Sequence, residues 1–119
     1  MKSKLLDVLA NPAGKVIAID LDGVICEGEF WGEGEPVPVQ AMIDKIWEWY
    51  KKGGHIIIYT ARQPIYYPHT HAWLIRHGVP FHGIAMLMKP GAHVYIDDKA
   101  LHLSDVLVPT AEVEEGKEG

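Results

Sequence analysis

The sequence predicts a single α/β domain: a doubly wound, Rossmann-like three-layer sandwich with a mostly parallel central sheet. Two observations lead to this class. Short apolar runs recur along the chain with helical segments between them, and this alternation is typical of a parallel sheet covered by helices. The chain has 119 residues, which is enough for one hydrophobic core but not for two.

The first predicted strand covers residues 15–21 and leads into the paired acids of the segment IDLDG. It is apolar on both alternations, as expected for a strand that is covered on both faces. An amphipathic helix follows, because apolar residues recur at i, i+3, i+4 and i+7 over residues 39–50. Pro38 suits the first turn of this helix, and Gly53 and Gly54 suit its end.

The second half of the chain repeats this order with shorter elements. The predicted elements are a strand at residues 55–60, a loop at 63–68, a helix at about 69–77, strands at 83–87 and 93–96, a helical turn at 99–103 and a short strand at 106–108. The chain therefore divides into a helical appendage over residues 1–14, a main domain over 15–111 and an acidic tail over 112–119 that we expect to be disordered.

The composition argues against several functional classes. The formal net charge is −5, so the chain lacks the basic face by which proteins bind duplex nucleic acid. The single cysteine cannot form an internal disulfide, and no apolar segment approaches the length needed to span a membrane. We therefore expect a cytoplasmic protein that has no membrane partner.

Polar residues follow the ends of the predicted strands, which is where doubly wound sheets bind their ligands. They are Asp20 and Asp22 after the first strand, Thr60 after the second, Lys89 after the third, and Asp97 and Asp98 after the fourth. Alternation along an extended strand end would put Asp20 and Asp22 on the same side, with Leu21 pointing away.

Each of these residues also has an ordinary structural interpretation. Asp22 before Gly23 is typical of a turn, and Lys89 before Pro90 is typical of a solvated loop. Asp20 is harder to explain in this way, because a carboxylate at the end of a buried run is costly without a partner or a cation. Together the groups suit Mg²⁺ and a phosphoryl group, since Mg²⁺ prefers carboxylate oxygens and is often shared with substrate phosphates.

On these residues the chain resembles the haloacid dehalogenase superfamily of phosphotransferases. The segments IDLDG, IIIYTAR, KPG and YIDD are similar to the family's four motifs and occur in the family's order, over roughly residues 16–106. The sequence has Val24 where the family commonly has Thr, a tolerant position. The closer likeness is to small bacterial and phage members that have no cap domain.

The resemblance implies a role for each matching residue. Asp20 would be the nucleophile that forms an aspartyl-phosphate, and Asp22 the general acid and base. Thr60 and Lys89 would bind the phosphoryl oxygens. Apart from the resemblance, Arg62 directly follows Thr60 and Ala61, which leaves two interpretations: it binds a second anionic group of the substrate, or it forms a surface salt bridge. The implied Mg²⁺ ligands are Asp20, the backbone carbonyl of Asp22, and Asp97 or Asp98, with Asp97 preferred.

The resemblance also implies a Mg²⁺-dependent phosphatase with an open site. The intervals at residues 23–38 and 61–88, where relatives insert a cap domain, have room for only a flap and one helix. Open members of the family act on bulky substrates or cover the site by forming homo-oligomers. The expected substrate is a phosphomonoester: a nucleic-acid end, a nucleotide or a sugar phosphate. Two alternatives are a receiver-like phosphoacceptor module and a binding protein that has kept the fold without turnover.

Overall fold

A computed structural model of the chain describes residues 8–28, 35–97 and 114–115. It confirms an α/β fold with a mostly parallel central sheet flanked by helices. The strands are Val16–Asp20 (β1), Cys26–Glu27 (β2), Val37–Pro38 (β3), His55–Thr60 (β4), Gly83–Met86 (β5), Val94–Ile96 (β6) and Glu114–Glu115 (β7), and the helices are Gln40–Lys51 (α1) and Tyr67–Arg76 (α2).

The central sheet has the strand order β5-β4-β1-β6-β7, in which the first four strands are parallel and β7 is antiparallel to β6. Counted along the chain, the four parallel strands lie in the order third, second, first, fourth. The order of connection therefore reverses between β1 and β6, which is the point where doubly wound sheets open a crevice for ligands. Asp20 ends β1 beside this point.

Both described helices pack on the same face of the sheet. That face carries the alternate residues Ile17 and Ile19 of β1, which are fully buried in one large cluster with the apolar sides of α1 and α2. The opposite face carries Ala18, which belongs to a smaller cluster with Ala92 and Tyr95. Residues 87–93, the connection from β5 to β6, supply Ala92 to this second face without forming a helix.

Helix α1 follows the predicted apolar pattern in its first two turns, but Trp47 and Tyr50 of that pattern are exposed and Trp49 is buried instead. Its buried residues are Met42, Ile43, Ile46 and Trp49. It ends at Lys51, and Gly53 then adopts a positive φ of 91°, a conformation that costs glycine little. The prediction for Pro38 was wrong, because this residue pairs with Cys26 in the short hairpin of β2 and β3 instead of entering the helix.

The remaining elements differ from the predictions mainly at their ends. Helix α2 begins at Tyr67, two residues early, because Pro68 in its first turn suits a helix start. Within the tail that was expected to be disordered, Glu114–Glu115 form an edge strand, so that part of the prediction was wrong. The elements predicted at 99–103 and 106–108 lie outside the described residues, as do residues 1–7 of the appendage, whose residues 8–10 are helical.

Neither α1 nor α2, nor any other helical stretch in the described ranges, has the length and apolar content that a membrane crossing requires.

Candidate active site

The chain turns sharply directly after β1. The carbonyl of Leu21 accepts hydrogen bonds from the amides of Ile25 at 2.9 Å and Cys26 at 3.2 Å, and the Leu21 side chain is fully buried. Gly23 adopts a positive φ of 91° within this turn. The strand therefore ends at Asp20, and Asp22 lies in the turn and not in an extended strand end.

Asp22 belongs to a buried network with Arg62 and Thr60. Arg62 Nη2 lies 2.8 Å from Asp22 Oδ1, and Arg62 Nε lies 3.1 Å from Oδ2. The Thr60 hydroxyl donates to Asp22 Oδ2 at 3.2 Å and accepts from the Arg62 amide at 3.1 Å. Arg62 Nη1 donates to Thr70 in α2 at 2.9 Å. Charge-assisted bonds of this bidentate kind fix both distance and orientation.

This network changes the interpretation of Arg62. The expected alternative of a salt bridge is confirmed by the pairing with Asp22, but its place at the surface was wrong, because the Arg62 side chain is only 4% exposed. Its three guanidinium nitrogens all have protein acceptors in Asp22 and Thr70. The geometry therefore favours an internal role, in which Arg62 holds Asp22, over the expected contact with an anionic group of a substrate.

A cleft of about 300 Å³ lies at the carboxyl ends of β1, β4 and β5. Its described lining residues are Asp20, Tyr59, Thr60, Ala61, Leu87, Met88 and Lys89. The fold thus brings three of the candidate site residues, Asp20, Thr60 and Lys89, to one cavity from three separate parts of the chain. Asp22 is not among these lining residues, but its carboxylate accepts a hydrogen bond from the hydroxyl of Thr60, and Thr60 does line the cleft.

Lys89 is held over an aromatic ring. Its ammonium nitrogen lies 4.4 Å from the centroid of the Tyr95 ring, within the range of a cation–π interaction. The Tyr95 hydroxyl donates to the carbonyl of Pro90 at 2.7 Å. Tyr95 therefore restrains both the lysine and the loop that carries it.

Asp97 lies beside Asp20 at the switch point. Ile19 pairs with Ile96 in the parallel ladder, so the next residues, Asp20 and Asp97, follow neighbouring strands at the same level. The Tyr59 hydroxyl reaches across β1 to Asp97 Oδ2 at 3.4 Å, a long hydrogen bond. Asp98 lies outside the described residues.

The described oxygen donors fit Mg²⁺. No group of three or more His, Cys, Asp or Glu side chains gathers for a metal within residues 8–28, 35–97 and 114–115. Mg²⁺ does not need such a cage, because it keeps several waters and binds through one or two carboxylates together with substrate phosphate. Adjacent Asp20 and Asp97 carboxylates are a donor pair of that kind.

Cys26 lies on the apolar side of the same turn and is fully buried. Its thiol donates weakly to Leu21 O at 3.6 Å and to Asp22 Oδ1 at 3.7 Å. Burial, and secondarily the negative charge of Asp22, raise the pKa of this thiol to about 12. The thiolate form required of a reactive cysteine is thereby suppressed.

Three residues that contact the site were not predicted from the sequence: Tyr59, Tyr95 and Thr70. Tyr59 pairs with Asp20 in the parallel ladder, so its ring lies on the Asp20 face of the sheet, but the sequence alone does not give this register. Tyr95 is two residues before Asp97, so strand alternation puts both on one face, and this signal was available. Thr70 gave none, because its contact with Arg62 depends on how α2 docks.

No protein-family model and no curated protein matches this sequence. Among solved structures, the chain is similar to the crystal structure of a structural-genomics target from Vibrio cholerae. The two are 26% identical, with 82% of this chain and 91% of that chain covered, and the TM-score is 0.59. This likeness supports the α/β fold described above.

Proposed function

We propose that this protein is a Mg²⁺-dependent phosphomonoesterase that works through an aspartyl-phosphate on Asp20. One observation carries the proposal: Asp20, Thr60 and Lys89 line the same cleft at the carboxyl edge of the sheet. A carboxylate nucleophile, a hydroxyl donor and an ammonium group are what a phosphoryl transfer to protein requires.

In the proposed reaction, a carboxylate oxygen of Asp20 attacks phosphorus. A new P–O bond forms as the bond from phosphorus to the leaving oxygen breaks, and Asp22, which must take up a proton from solvent before this step, gives that proton to the leaving oxygen. In the second step Asp22 takes a proton from water, the water oxygen attacks phosphorus, and the Asp20 carboxylate and inorganic phosphate are released. Lys89, held over the Tyr95 ring, balances the negative charge of the phosphoryl oxygens.

Mg²⁺ would be held by the carboxylates of Asp20 and Asp97 and by the carbonyl of Asp22, and when bound it would offset negative charge between the nucleophile and the phosphoryl group. In the same proposal Asp98 is a further candidate ligand.

Thr60 connects the cleft to Asp22. A hydroxyl has a single proton to donate, and here that proton goes to Asp22 Oδ2. If Thr60 turns its proton to a phosphoryl oxygen, Asp22 Oδ2 loses one of its two donors and keeps only Arg62 Nε. Substrate binding would in this way loosen Asp22 at the moment when it must transfer a proton.

The decisive experiment compares the hydrolysis of an aryl phosphate by the wild-type protein and by Asp20→Asn, both with excess Mg²⁺. We expect the variant to lose turnover while its circular dichroism and melting temperature stay close to wild type. Asp44→Asn, which changes an exposed acid of α1 that hydrogen-bonds to Gln40, is the matched control and should keep full activity. Equal rates for wild type and Asp20→Asn would reject the proposal.

The same proteins separate the receiver-like alternative from the phosphatase. A receiver-like module would form a long-lived adduct with acetyl phosphate and would show no steady release of phosphate.

The proposal includes a phosphomonoester as partner and a cytoplasmic location, in keeping with a chain that has one cysteine. The proposed physiological substrate is a nucleotide, a sugar phosphate or a nucleic-acid end. Formation of a homo-oligomer is also part of the proposal.

A further inference from the structure

Two apolar side chains stand at the mouth of the cleft, directly before Lys89. Leu87 is 60% exposed and Met88 is 66% exposed, and both line the cavity that contains Asp20. Neither belongs to a hydrophobic cluster of the core in the described part of the chain. Packing of the fold therefore does not account for apolar residues at these positions.

The backbone at Leu87 is strained. Its φ is +65°, a left-handed conformation that costs a branched residue free energy and that glycine adopts readily. The Leu87 amide donates to the carbonyl of Thr60 at 2.9 Å, which anchors this strained residue to the end of β4. Strain of this kind at a cleft is a reason to look for a function of the side chain.

We propose that Leu87 and Met88 form an apolar subsite for the leaving group of the substrate, which is therefore a phosphomonoester whose alcohol portion is apolar next to the ester oxygen. This inference rests on the phosphatase function proposed above. In that function Asp20, Thr60 and Lys89, which line the same cleft, would bind the phosphoryl group. Among the other described lining residues, Leu87, Met88 and Ala61 offer the ester apolar surface, and the hydroxyl of Tyr59 is directed to Asp97.

The chemistry of the cleft favours this class over polar alcohols. A sugar or glycerol hydroxyl presented to Leu87 and Met88 would lose water without gaining a hydrogen bond, which is unfavourable. An alkyl or aryl group in the same position would bury apolar surface on both partners. The exposed side chains of the free protein are then explained, because the substrate is what covers them.

The test uses ethyl phosphate and hexyl phosphate, whose leaving alcohols have similar acidity and differ in apolar length. We expect wild type to prefer hexyl phosphate in kcat/KM by about tenfold, the discrimination that methylene contacts in an apolar pocket provide. The double variant Leu87→Asn/Met88→Gln should bring this ratio close to one. Leu87→Gly, which relieves the strain and removes the side chain, should lower the ratio even if the double variant folds poorly.

The matched control is Ile75→Gln, which changes an apolar residue of α2 that is 59% exposed and does not line the cleft. It should leave both rates unchanged. A hexyl-to-ethyl ratio that stays the same in Leu87→Gly, while hydrolysis still depends on Asp20, would overturn the subsite alone. Absence of Asp20-dependent hydrolysis in wild type would overturn the phosphatase and the subsite together.

Sedimentation of the same variants examines a competing explanation of the apolar pair. If Leu87→Gly converts an oligomer into a monomer and leaves the substrate ratio unchanged, the two residues serve a contact between subunits and the subsite is rejected. An unchanged molecular mass with a reduced ratio supports the subsite.

Discussion

Arg62 holds the carboxylate of Asp22 with two nitrogens, at 2.8 Å and 3.1 Å. The two partners differ in their access to water, because the Arg62 side chain is 4% exposed and the Asp22 side chain is 38% exposed. Loss of one partner therefore has unequal consequences. A guanidinium left without its carboxylate stays in the interior, whereas a carboxylate left without its guanidinium can be hydrated.

We predict that Asp22→Ala destabilises the fold more than Arg62→Met does. The first substitution removes the carboxylate that faces a buried guanidinium and should cost about 3 kcal/mol, whereas the second should cost about 1 kcal/mol, because Met keeps much of the buried volume. Urea unfolding of both variants measures the difference. A larger loss of stability in Arg62→Met would contradict the asymmetry inferred from exposure.

Asp22→Asn should separate the two steps of the proposed reaction. Asn keeps an oxygen that can accept from Arg62, but it cannot supply or remove a proton. With an aryl phosphate, whose leaving group needs little protonation, we expect the first turnover to survive and the hydrolysis of the aspartyl-phosphate to slow by about 10²-fold. Mass spectrometry after acid quench should then find phosphorylated protein. Full steady-state activity in Asp22→Asn would remove the second acid from the mechanism.

Thr60 should be needed for its hydroxyl and not for its shape. Thr60→Val keeps the β-branch and removes the donor to Asp22, so kcat/KM should fall by about 10²-fold, as when one oxyanion donor is lost. Thr60→Ser restores the hydroxyl and should recover most of this activity. A Val variant as active as the Ser variant would show that the phosphoryl group does not use this side chain.

The features predicted best from the sequence are those that depend on the local pattern of apolar residues. The strand over residues 55–60 follows directly from apolar periodicity and was predicted correctly. The same periodicity predicted the buried Met42, Ile43 and Ile46 of α1 but was wrong in its last turn, where Trp47 and Tyr50 are exposed and Trp49 is buried. The gathering of Asp20, Thr60 and Lys89 in one cleft follows from their positions at the ends of parallel strands.

Other features depend on geometry that periodicity does not encode. The turn after β1 is held by amides that converge on the Leu21 carbonyl, so Asp22 lies in a turn that the apolar pattern did not predict. The pairing of Asp22 with Arg62 joins residues 40 positions apart, so neither residue signals it locally. The chemistry assigned to these residues stays a prediction.

Cys26 should be inert in the folded protein. It is fully buried, and its thiol pKa of about 12 leaves almost no thiolate at neutral pH. We predict that iodoacetamide at pH 8 labels Cys26 only as fast as the protein unfolds. Labelling in about 6 M urea, which unfolds small domains, should be rapid and serves as the comparison. Rapid labelling under native conditions would contradict the burial of this residue.

A pair of stacked histidines lies at the opposite end of the sheet from the candidate site. The rings of His55 and His82 are 4.3 Å apart with an interplanar angle of 15°. His82 Nδ1 accepts a hydrogen bond from the amide of Ile56 at 2.9 Å, which requires a neutral imidazole with its proton on Nε2. Desolvation, and then the proximity of His55, lower the pKa of His82 below its usual value of 6.5.

A pKa that is lower in the folded than in the unfolded state stabilises the fold above the unfolded value and loses this contribution as the pH falls. We therefore predict that the melting temperature of wild type decreases as the pH falls from about 7 towards 5, the range in which a histidine of lowered pKa titrates. His82→Asn, whose side-chain oxygen can still accept from Ile56, should show a smaller decrease. His69→Gln, a change at an exposed histidine of α2, should behave as wild type. An equal pH dependence in wild type and His82→Asn would mean that this histidine pair contributes nothing to acid sensitivity.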